Sequence, residues 1–161
     1  MKKRKFIKFL TFGLSLPFVF PQAFAKEIKK VVKPNSEWKK ILTNEQYYIL
    51  REEGTERSFT SFLNDEKREG EYLCAGCKTP LFNSKMKYDS GTGWPSFFEH
   101  HPNVIATKLD FKLVLPRTEY HCVVCEGHHG HVFNDGPQPT GKRYCNNGTS
   151  LTFLPKVKVI S

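Results

Sequence analysis

Residues 119–133 read EYHCVVCEGHHGHVF and hold two short extended segments around a pair of cysteines. Glu119 to Val124 and His131 to Phe133 are rich in β-branched and aromatic side chains, which pack well on a sheet surface. Between them, Cys122-Val-Val-Cys125 has the spacing of a tight turn that points two sulfurs the same way. The stretch therefore predicts strands arranged around a cysteine turn.

The same pattern continues on both sides of this stretch. After Gly54, short apolar or alternating pieces are separated by Gly, Pro, Asn and Asp, and residues 134–142 (NDGPQPTGK) hold the turn residues. Phe111 to Leu115 (FKLVL) is the clearest of the predicted strands. The others are Tyr72-Leu73, Val104 to Thr107, Leu151 to Leu154 and Val157 to Ile160. This pattern predicts a mainly β, antiparallel body with helices confined to the N-terminal side.

Two short helices are predicted before Gly54. Ser36 is the expected N-cap of a helix that ends at Leu42, and Asn44 is the expected N-cap of a second. Gly54 lies just past the end of the second helix, where glycine is common. We expect both helices to pack as a clasp on the β body, through the apolar residues Trp38, Ile41, Leu42, Tyr47, Tyr48 and Leu50.

Residues 1–25 have the three-part pattern of a secretory signal peptide. A basic start is followed by an apolar run, interrupted by Pro17, and then by the small-x-small site Ala23-Phe24-Ala25. The run is short for a membrane span of about 20 residues. We therefore expect export with cleavage of the signal, a periplasmic location and no remaining membrane anchor.

The net charge of +9 is concentrated at the N-terminus. Residues 1–25 carry five basic and no acidic side chains, and residues 26–40 hold six Lys and two Glu. From Ile41 onward, 14 basic side chains balance 14 acidic ones. We assign residues 26–35 to a basic lead-in and expect no nucleic-acid partner, because nucleic-acid-binding domains carry a basic patch.

Two CxxC pairs, Cys74-Ala-Gly-Cys77 and Cys122-Val-Val-Cys125, are separated by 44 residues. Brought together, they offer four thiolates, which suits one tetrahedral Zn²⁺. Three alternatives remain open at this point. Export favours disulfides, a thioredoxin-like pair would need a helix where Lys-Thr-Pro80 follows Cys77, and a mixed site could use His128 or His131.

A fifth cysteine, Cys145, stands alone. A lone cysteine is most often a small buried hydrophobe. Here Arg143 could stabilise a thiolate, and Asn146 to Gly148 are polar or permissive neighbours. The residues alone leave a buried and a reactive Cys145 about equally open.

Together these motifs resemble the B-type methionine-R-sulfoxide reductase family, from about Ser36 to Phe153. The resemblance implies a domain over residues 36–157 with two antiparallel sheets in a tent-like arrangement, short N-terminal helices and a four-cysteine zinc site. The matching runs are Tyr72 to Cys77, Lys87 to Phe97 (KYDSGTGWPSF), Arg117 to Glu119, Cys122 to Cys125, His128 to Phe133, Asp135 to Pro137 and Arg143 to Cys145.

The resemblance also implies a role for each site residue. Cys145 would attack the sulfoxide sulfur as a thiolate and become a sulfenic acid. His128 and His131 would position water and the sulfoxide oxygen and supply a proton. The other implied roles are a lowered thiol pKa (Arg143), orientation of the site (Asn147), substrate binding (Trp94, Phe133) and one structural zinc (Cys74, Cys77, Cys122, Cys125).

This sequence departs from the family pattern at the position of a second, resolving cysteine, which is Thr92 here. If zinc holds four thiols, no resolving thiol remains, so we expect an external, thioredoxin-like reductant. His129, Asn146 and Gly148-Thr149 are smaller departures near the site. The expected enzyme repairs oxidised methionine, protein-bound or free, and the alternative is a zinc-stabilised β-domain that binds a small ligand or peptide without catalysis.

Overall fold

The structure is a computed structural model that describes residues 28–157. The predicted signal peptide and most of the predicted strand from Val157 to Ile160 lie outside this range. Among the described residues, no helix is both long and apolar enough to cross a bilayer.

Residues 28–157 form two helices and nine strands, joined by three short 3₁₀ turns. The helices are α1 (Asn35–Ile41) and α2 (Asn44–Glu52). The strands are β1 (Gly70–Cys74), β2 (Pro80–Asn83), β3 (Lys87–Tyr88), β4 (Ser96–Phe97), β5 (Ile105–Asp110), β6 (Arg117–Cys122), β7 (His128–Phe133), β8 (Arg143–Asn146) and β9 (Leu151–Pro155). The 3₁₀ turns are Phe62–Asn64, Ser84–Met86 and Gly148–Ser150.

The strands form two antiparallel sheets, in the order β2-β1-β9 and β3-β4-β8-β7-β6-β5. Buried aromatic rings fill the space between them. Phe82 of the smaller sheet stacks on Phe97 of the larger one with 4.2 Å between centroids, and Tyr72 meets Phe97 edge-on at 4.9 Å. Such pairs add to the burial of large apolar surfaces. The predicted mainly β class with two antiparallel sheets is confirmed.

Both predicted helices exist, but their caps differ from the expectation. Pro34 precedes α1, so Ser36 lies inside the helix and does not cap it. Thr43, not Asn44, caps α2, because its hydroxyl accepts from the Gln46 N–H while the Gln46 side chain accepts from the Thr43 N–H. This reciprocal pair satisfies two backbone donors at once, which a cap at Asn44 would not.

The helices pack on the larger sheet through a few buried side chains. Trp38 of α1 and Ile49 and Leu50 of α2 are almost fully buried. Arg51 stacks over Trp38 at 5.2 Å and donates to the carbonyl of Cys125 at 2.7 Å. The N-terminal helices therefore cover the second CxxC turn.

The basic lead-in is attached to the same turn. In its described part, the Val31 N–H donates to the Val124 carbonyl at 2.7 Å, and Lys30 pairs with Glu126 at 2.7 Å. Residues 28–34 have no regular secondary structure. This segment is thus in contact with the domain without being part of a sheet.

The predicted strand from Phe111 to Leu115 is wrong. These residues form an exposed loop between β5 and β6. Asp110 pairs with Arg117 at the end of that ladder, so the chain must reverse direction between them. Four strands were not predicted (β2, β3, β4 and β8), since they are short or polar and lack an alternating pattern.

Candidate active site and metal centre

Four cysteines from the two CxxC turns form one cluster, in which Cys77 is half-buried and the other three are buried. The Sγ atoms of Cys74, Cys77, Cys122 and Cys125 all lie within 4.8 Å of one another, with 3.5 Å between Cys74 and Cys125 and 3.6 Å between Cys77 and Cys122. Four sulfurs at about 2.3 Å from a tetrahedral ion would lie about 3.8 Å apart. The donor set and its spacing therefore fit a tetrahedral metal ion.

The two turns that carry these thiols have the same backbone geometry. The N–H of Lys78 donates to the carbonyl of Cys74, and the N–H of Glu126 donates to that of Cys122, both at 2.8 Å. Lys78 and Glu126 have left-handed φ angles of 62° and 59°. Neither turn starts a helix, unlike a thioredoxin-like pair, and all five cysteines are free thiols.

The register of the larger sheet places Cys145 beside a histidine. Cys145 of β8 lies opposite Ser96 of β4 on one side and His131 of β7 on the other, and His131 lies opposite Glu119 of β6. Directly opposite residues in antiparallel strands project from the same face. Ser96, Cys145, His131 and Glu119 therefore form one row across four neighbouring strands.

A cavity of about 110 Å³ opens over this row. Cys145 and His131 lie in its wall together with Trp94, Phe133 and Asn147. Five of the seven predicted catalytic and substrate-binding residues are thus brought together. His128 and Arg143 do not line the cavity. His128 contacts the cavity residue His131, and Arg143 stacks over the cavity residue Phe133.

His128 lies behind His131, with 5.6 Å between the ring centroids. Its Nδ1 donates to Glu119 Oε1 at 2.7 Å, and His121 Nδ1 donates to the other oxygen at 3.1 Å. Burial alone would raise the pKa of Glu119, but these two hydrogen bonds outweigh it and lower the pKa to about 2. Glu119 is therefore an ionised, buried carboxylate that orients His128.

His131 is held by a second carboxylate. Its Nε2 donates to Asp110 Oδ2 at 2.7 Å, and Arg117 donates to the same oxygen at 2.6 Å. Burial lowers the pKa of His131, and the Asp110 hydrogen bond opposes this. The Lys112 N–H, followed by His131 and Arg117, lowers the pKa of Asp110. Asp110 was not predicted, because it precedes a loop and belongs to no motif.

Arg143, two residues before Cys145 in β8, stabilises the Cys145 thiolate by its positive charge. Its guanidinium makes a two-point contact with Asp135 at 2.8 and 2.9 Å and stacks over Phe133 at 4.2 Å, which fixes its position. Burial raises the pKa of the Cys145 thiol, while Arg143 and the Thr92 hydroxyl oppose that rise. Arg143 therefore favours the thiolate, but burial is the larger effect and the thiol pKa lies above its ordinary value.

Glu56, in the loop after α2, contacts several site residues and was not predicted from the sequence. Its carboxylate accepts from the Gly148 and Thr149 N–H groups at 2.6 and 2.9 Å and from the Thr149 hydroxyl. Its backbone N–H donates to Asn147 Oδ1 at 3.0 Å, and its carbonyl accepts from Trp94 Nε1 at 3.2 Å. No sequence signal marks Glu56, since its partners are about 40 to 90 residues away.

Two departures from the family pattern are fully buried polar residues, and one of them, Asn146, also lines the cavity. His129 is fully buried, and its Nδ1 contacts the Ser150 hydroxyl at 2.8 Å. Burial lowers its pKa to about 3, so the ring stays neutral. Asn146, also fully buried, has no hydrogen-bond partner for its Nδ2 among the described residues.

Comparison with known proteins gives a consistent answer. Residues 42–155 match the SelR domain. The chain is 51% identical over 125 residues to peptide methionine sulfoxide reductase MsrB of Thiobacillus denitrificans, covering 77% of this chain and 95% of that protein. It is 46% identical over 134 residues to methionine-R-sulfoxide reductase B2, mitochondrial, of Rattus norvegicus, covering 78% and 77%.

A plant relative is similar over a smaller share of its own length. Peptide methionine sulfoxide reductase B1, chloroplastic, of Arabidopsis thaliana is 56% identical over 117 residues, which cover 72% of this chain but 58% of that protein. The chain thus spans less than two thirds of this relative.

Proposed function

The chain belongs to the SelR domain family, and we propose that it is an oxidoreductase that reduces methionine-R-sulfoxide to methionine. The observation that carries this proposal is the strand register that places Cys145 beside His131 under a cavity with Trp94 and Phe133 in its wall. An apolar wall suits the methyl end of methionine sulfoxide, and the polar row below suits its oxygen. The R stereochemistry rests on the relatives.

In the proposed reaction, the Cys145 thiolate attacks the sulfoxide sulfur. The sulfur–oxygen bond breaks and the oxygen takes up a proton, for which His131 is the donor in the cavity wall. Overall, one oxygen atom passes to Cys145. The methionine sulfur is reduced by two electrons, and the Cys145 sulfur is oxidised by two to a sulfenic acid.

The neighbours of these two residues support the roles. Because Nε2 of His131 donates to Asp110, its Nδ1 is the nitrogen left to exchange a proton. Burial weakens proton binding by His131, which makes its protonated form a stronger acid. Arg143 and Thr92 favour the thiolate of Cys145 against the effect of burial.

We also propose that an external dithiol, of the thioredoxin-like type, regenerates Cys145. Its first thiol displaces the sulfenic oxygen as water and forms a mixed disulfide, and its second thiol releases Cys145 and closes the reductant's own disulfide. The position of the family's resolving cysteine is Thr92 here, and its hydroxyl favours the Cys145 thiolate but cannot form a disulfide. The other four thiols belong to the metal cluster, for which zinc is the proposed ion.

Reduction of the separate R and S sulfoxides of an N-acylated methionine, with dithiothreitol as reductant, tests the function. We expect turnover of the R form alone, and loss of turnover in Cys145→Ser. Equal rates for wild type and Cys145→Ser would refute the nucleophile. A Cys145→Ser protein that binds the substrate while the wild type does no chemistry would favour the alternative, a binding module.

A single turnover without reductant tests the regeneration step. After one equivalent of substrate, a sulfenic-acid trap such as dimedone should label Cys145. An intramolecular disulfide between Cys145 and any other cysteine, found by peptide mapping, would contradict the external reductant.

We further propose export, because residues 1–25 carry the signal-peptide pattern. Fractionation of cells that express the full chain should find the protein in the periplasm, with Lys26 as its first residue. A cytoplasmic protein that retains residues 1–25 would contradict this.

A further inference from the structure

The loop between β5 and β6 exposes an unusual amount of apolar surface. Phe111, Leu113, Val114 and Leu115 are 69%, 57%, 100% and 77% exposed. Leu109, just before the loop, is 64% exposed. Single exposed apolar residues are common, but a contiguous group of this kind often marks an interaction site. We call residues 111–115 the apolar loop.

The apolar loop begins and ends at the wall of the active-site cavity. Asp110, which precedes it, binds His131 at 2.7 Å, and Arg117, which follows it after Pro116, lines the cavity and contacts Asp110 at 2.6 Å. The Lys112 N–H also donates to Asp110 Oδ1 at 2.8 Å. The loop is therefore joined at both ends to residues that orient His131, and one of them, Arg117, lines the cavity.

A polypeptide substrate needs contacts outside the cavity. The cavity has a volume of about 110 Å³ and Cys145 lies in its wall, so the methionine sulfoxide side chain must enter it to react. If the oxidised methionine is part of a polypeptide, its neighbours in sequence must stay at the mouth of the cavity. The apolar loop follows Asp110 and precedes the cavity-lining Arg117, so its exposed side chains are candidates to contact these neighbours.

We propose that the apolar loop is the docking surface for the apolar residues that flank an oxidised methionine in a polypeptide substrate. This proposal rests on the proposed function and names its substrate class. Methionine is a core residue, and its oxidation disrupts the packing around it. The segments that present it are therefore rich in apolar neighbours, and apolar contacts are what this loop offers.

The charges of the loop disfavour other occupants. Lys112 is paired with Glu53 at 2.7 Å, and Lys108 is paired with the same carboxylate at 2.5 Å. The single carboxylate of Glu53 offsets one of these two positive charges, so the loop keeps only one net positive charge to attract an anionic membrane surface. Pro116 and the reversal of the chain also prevent the loop from adding to a sheet edge of a second copy.

The test uses a double variant, Val114→Ser with Leu115→Ser, in the full chain. The matched control is Val32→Ser with Val157→Ser, since these side chains are 86% and 82% exposed and do not line the cavity. Three substrates are compared: free methionine-R-sulfoxide, a heptapeptide with the R-sulfoxide between Leu and Val, and the same peptide with Ser at the flanking positions.

We expect kcat/KM for the Leu/Val peptide to fall about tenfold in the loop variant, through KM, which corresponds to about 1.4 kcal/mol. Free substrate should be unaffected, and the Ser-flanked peptide should change less than about twofold. The control variant should behave like the wild type. Anisotropy of the labelled Leu/Val peptide should show the same loss of affinity without turnover.

Several results for the loop variant would overturn the proposal. Its kcat/KM could fall equally for free and peptide substrates, or it could stay unchanged for every substrate. The variant could also raise only the KM for the reductant. A wild-type dimer that the loop variant converts to a monomer, or binding to phosphatidylglycerol vesicles that the variant abolishes, would assign the loop to another occupant. Absence of turnover in the wild type would refute the proposed function, and the anisotropy comparison would still decide the docking.

Discussion

Cys145 has an environment that both hinders and favours its ionisation. Burial raises the pKa of the thiol, because a thiolate loses solvation when it leaves water. The guanidinium of Arg143 and the hydroxyl of Thr92 act in the opposite direction. The chemistry of the site therefore depends on two neighbours that stabilise the charged form.

Replacing Thr92 with Val should make the thiol harder to ionise. The side chain keeps its shape but loses the hydroxyl, so the pKa of Cys145 should move further above its ordinary value of 9.0. Alkylation by iodoacetamide at pH 7 should slow about fivefold, the equivalent of about 1 kcal/mol. Thr92→Ser keeps the hydroxyl and is the control. Identical pH profiles for the Val and Ser variants would show that the hydroxyl has no effect.

His129 makes stability depend on pH. Its folded-state pKa of about 3 lies below the ordinary 6.5, so below about pH 6.5 the unfolded chain binds a proton that the folded chain does not. Stability therefore falls as the pH falls from about 6.5 towards 3. Above pH 6.5 both states are neutral at this residue, and this contribution to the pH dependence vanishes.

His129→Leu should remove this sensitivity to acid. Between pH 8 and pH 5, the loss of unfolding free energy should be about 2 kcal/mol smaller in the variant, since each pKa unit corresponds to about 1.36 kcal/mol. Urea denaturation at the two pH values measures it. His100→Gln, at a half-buried histidine, is the control. The same pH dependence in His129→Leu and wild type would mean that His129 is not held neutral.

At the scale of elements, the site includes short segments that are held in place by contacts with a distant loop. The 3₁₀ turn Gly148–Ser150 follows Asn147 directly, and Glu56 fixes this turn through two backbone N–H groups. The same residue binds Asn147 and Trp94 with its backbone. One loop thus connects the cavity wall to the end of β8.

Glu56→Gln should loosen this connection. A carboxamide NH2 would face a backbone N–H where a carboxylate oxygen now accepts, so the variant loses a charge-assisted hydrogen bond and gains a repulsive contact. We expect a fall in kcat/KM of about tenfold and a loss of about 2 kcal/mol in unfolding free energy. Glu52→Gln, at an exposed residue of α2, should change neither. Wild-type activity in Glu56→Gln would show that the loop does not position the site.

At the scale of the whole molecule, the cysteine cluster joins the two sheets. Cys74 ends β1 of the smaller sheet, and Cys122 ends β6 of the larger one. The aromatic stack of Phe82 and Phe97 joins the same sheets elsewhere. A metal ion at the cluster would therefore restrain their relative position, which sets the geometry of the cavity.

Removal of the metal should destabilise the protein as a whole. We expect about one zinc ion per chain by elemental analysis and a fall in Tm of at least about 10 °C after treatment with a strong chelator. Cys77→Ser should lose the metal, whereas Cys145→Ser should keep it. A metal-free chain with two disulfides and an unchanged Tm would contradict the assignment.

Much of the site followed from residue chemistry that the sequence displays. The count of four clustered cysteines and one lone cysteine predicted a metal site and a separate thiol, and the cluster is present. The family resemblance added His131, Trp94 and Phe133, which line the cavity with Cys145. Their roles in catalysis stay predictions that the proposed experiments test.

The errors concern features that depend on distant partners. Phe111 to Leu115 has a good strand pattern, yet it lies in a loop because the pairing of β5 with β6 ends beside it. β8 was missed because its residues are polar, although it lies between two other strands. Local patterns report what a segment prefers, and pairing in the fold decides what it becomes.

The sequence by itself determined the chemistry of this protein: the two CxxC turns, the lone thiol and the histidines. A tight turn and a side-chain type are properties of a few consecutive residues, so the sequence displays them directly. Only the tertiary structure decided that His131 lies opposite Cys145, that Asp110 and Glu119 hold the two histidines, and that residues 111–115 form an exposed loop. These depend on strand register, which sums contacts along whole strands and cannot be read from any one segment.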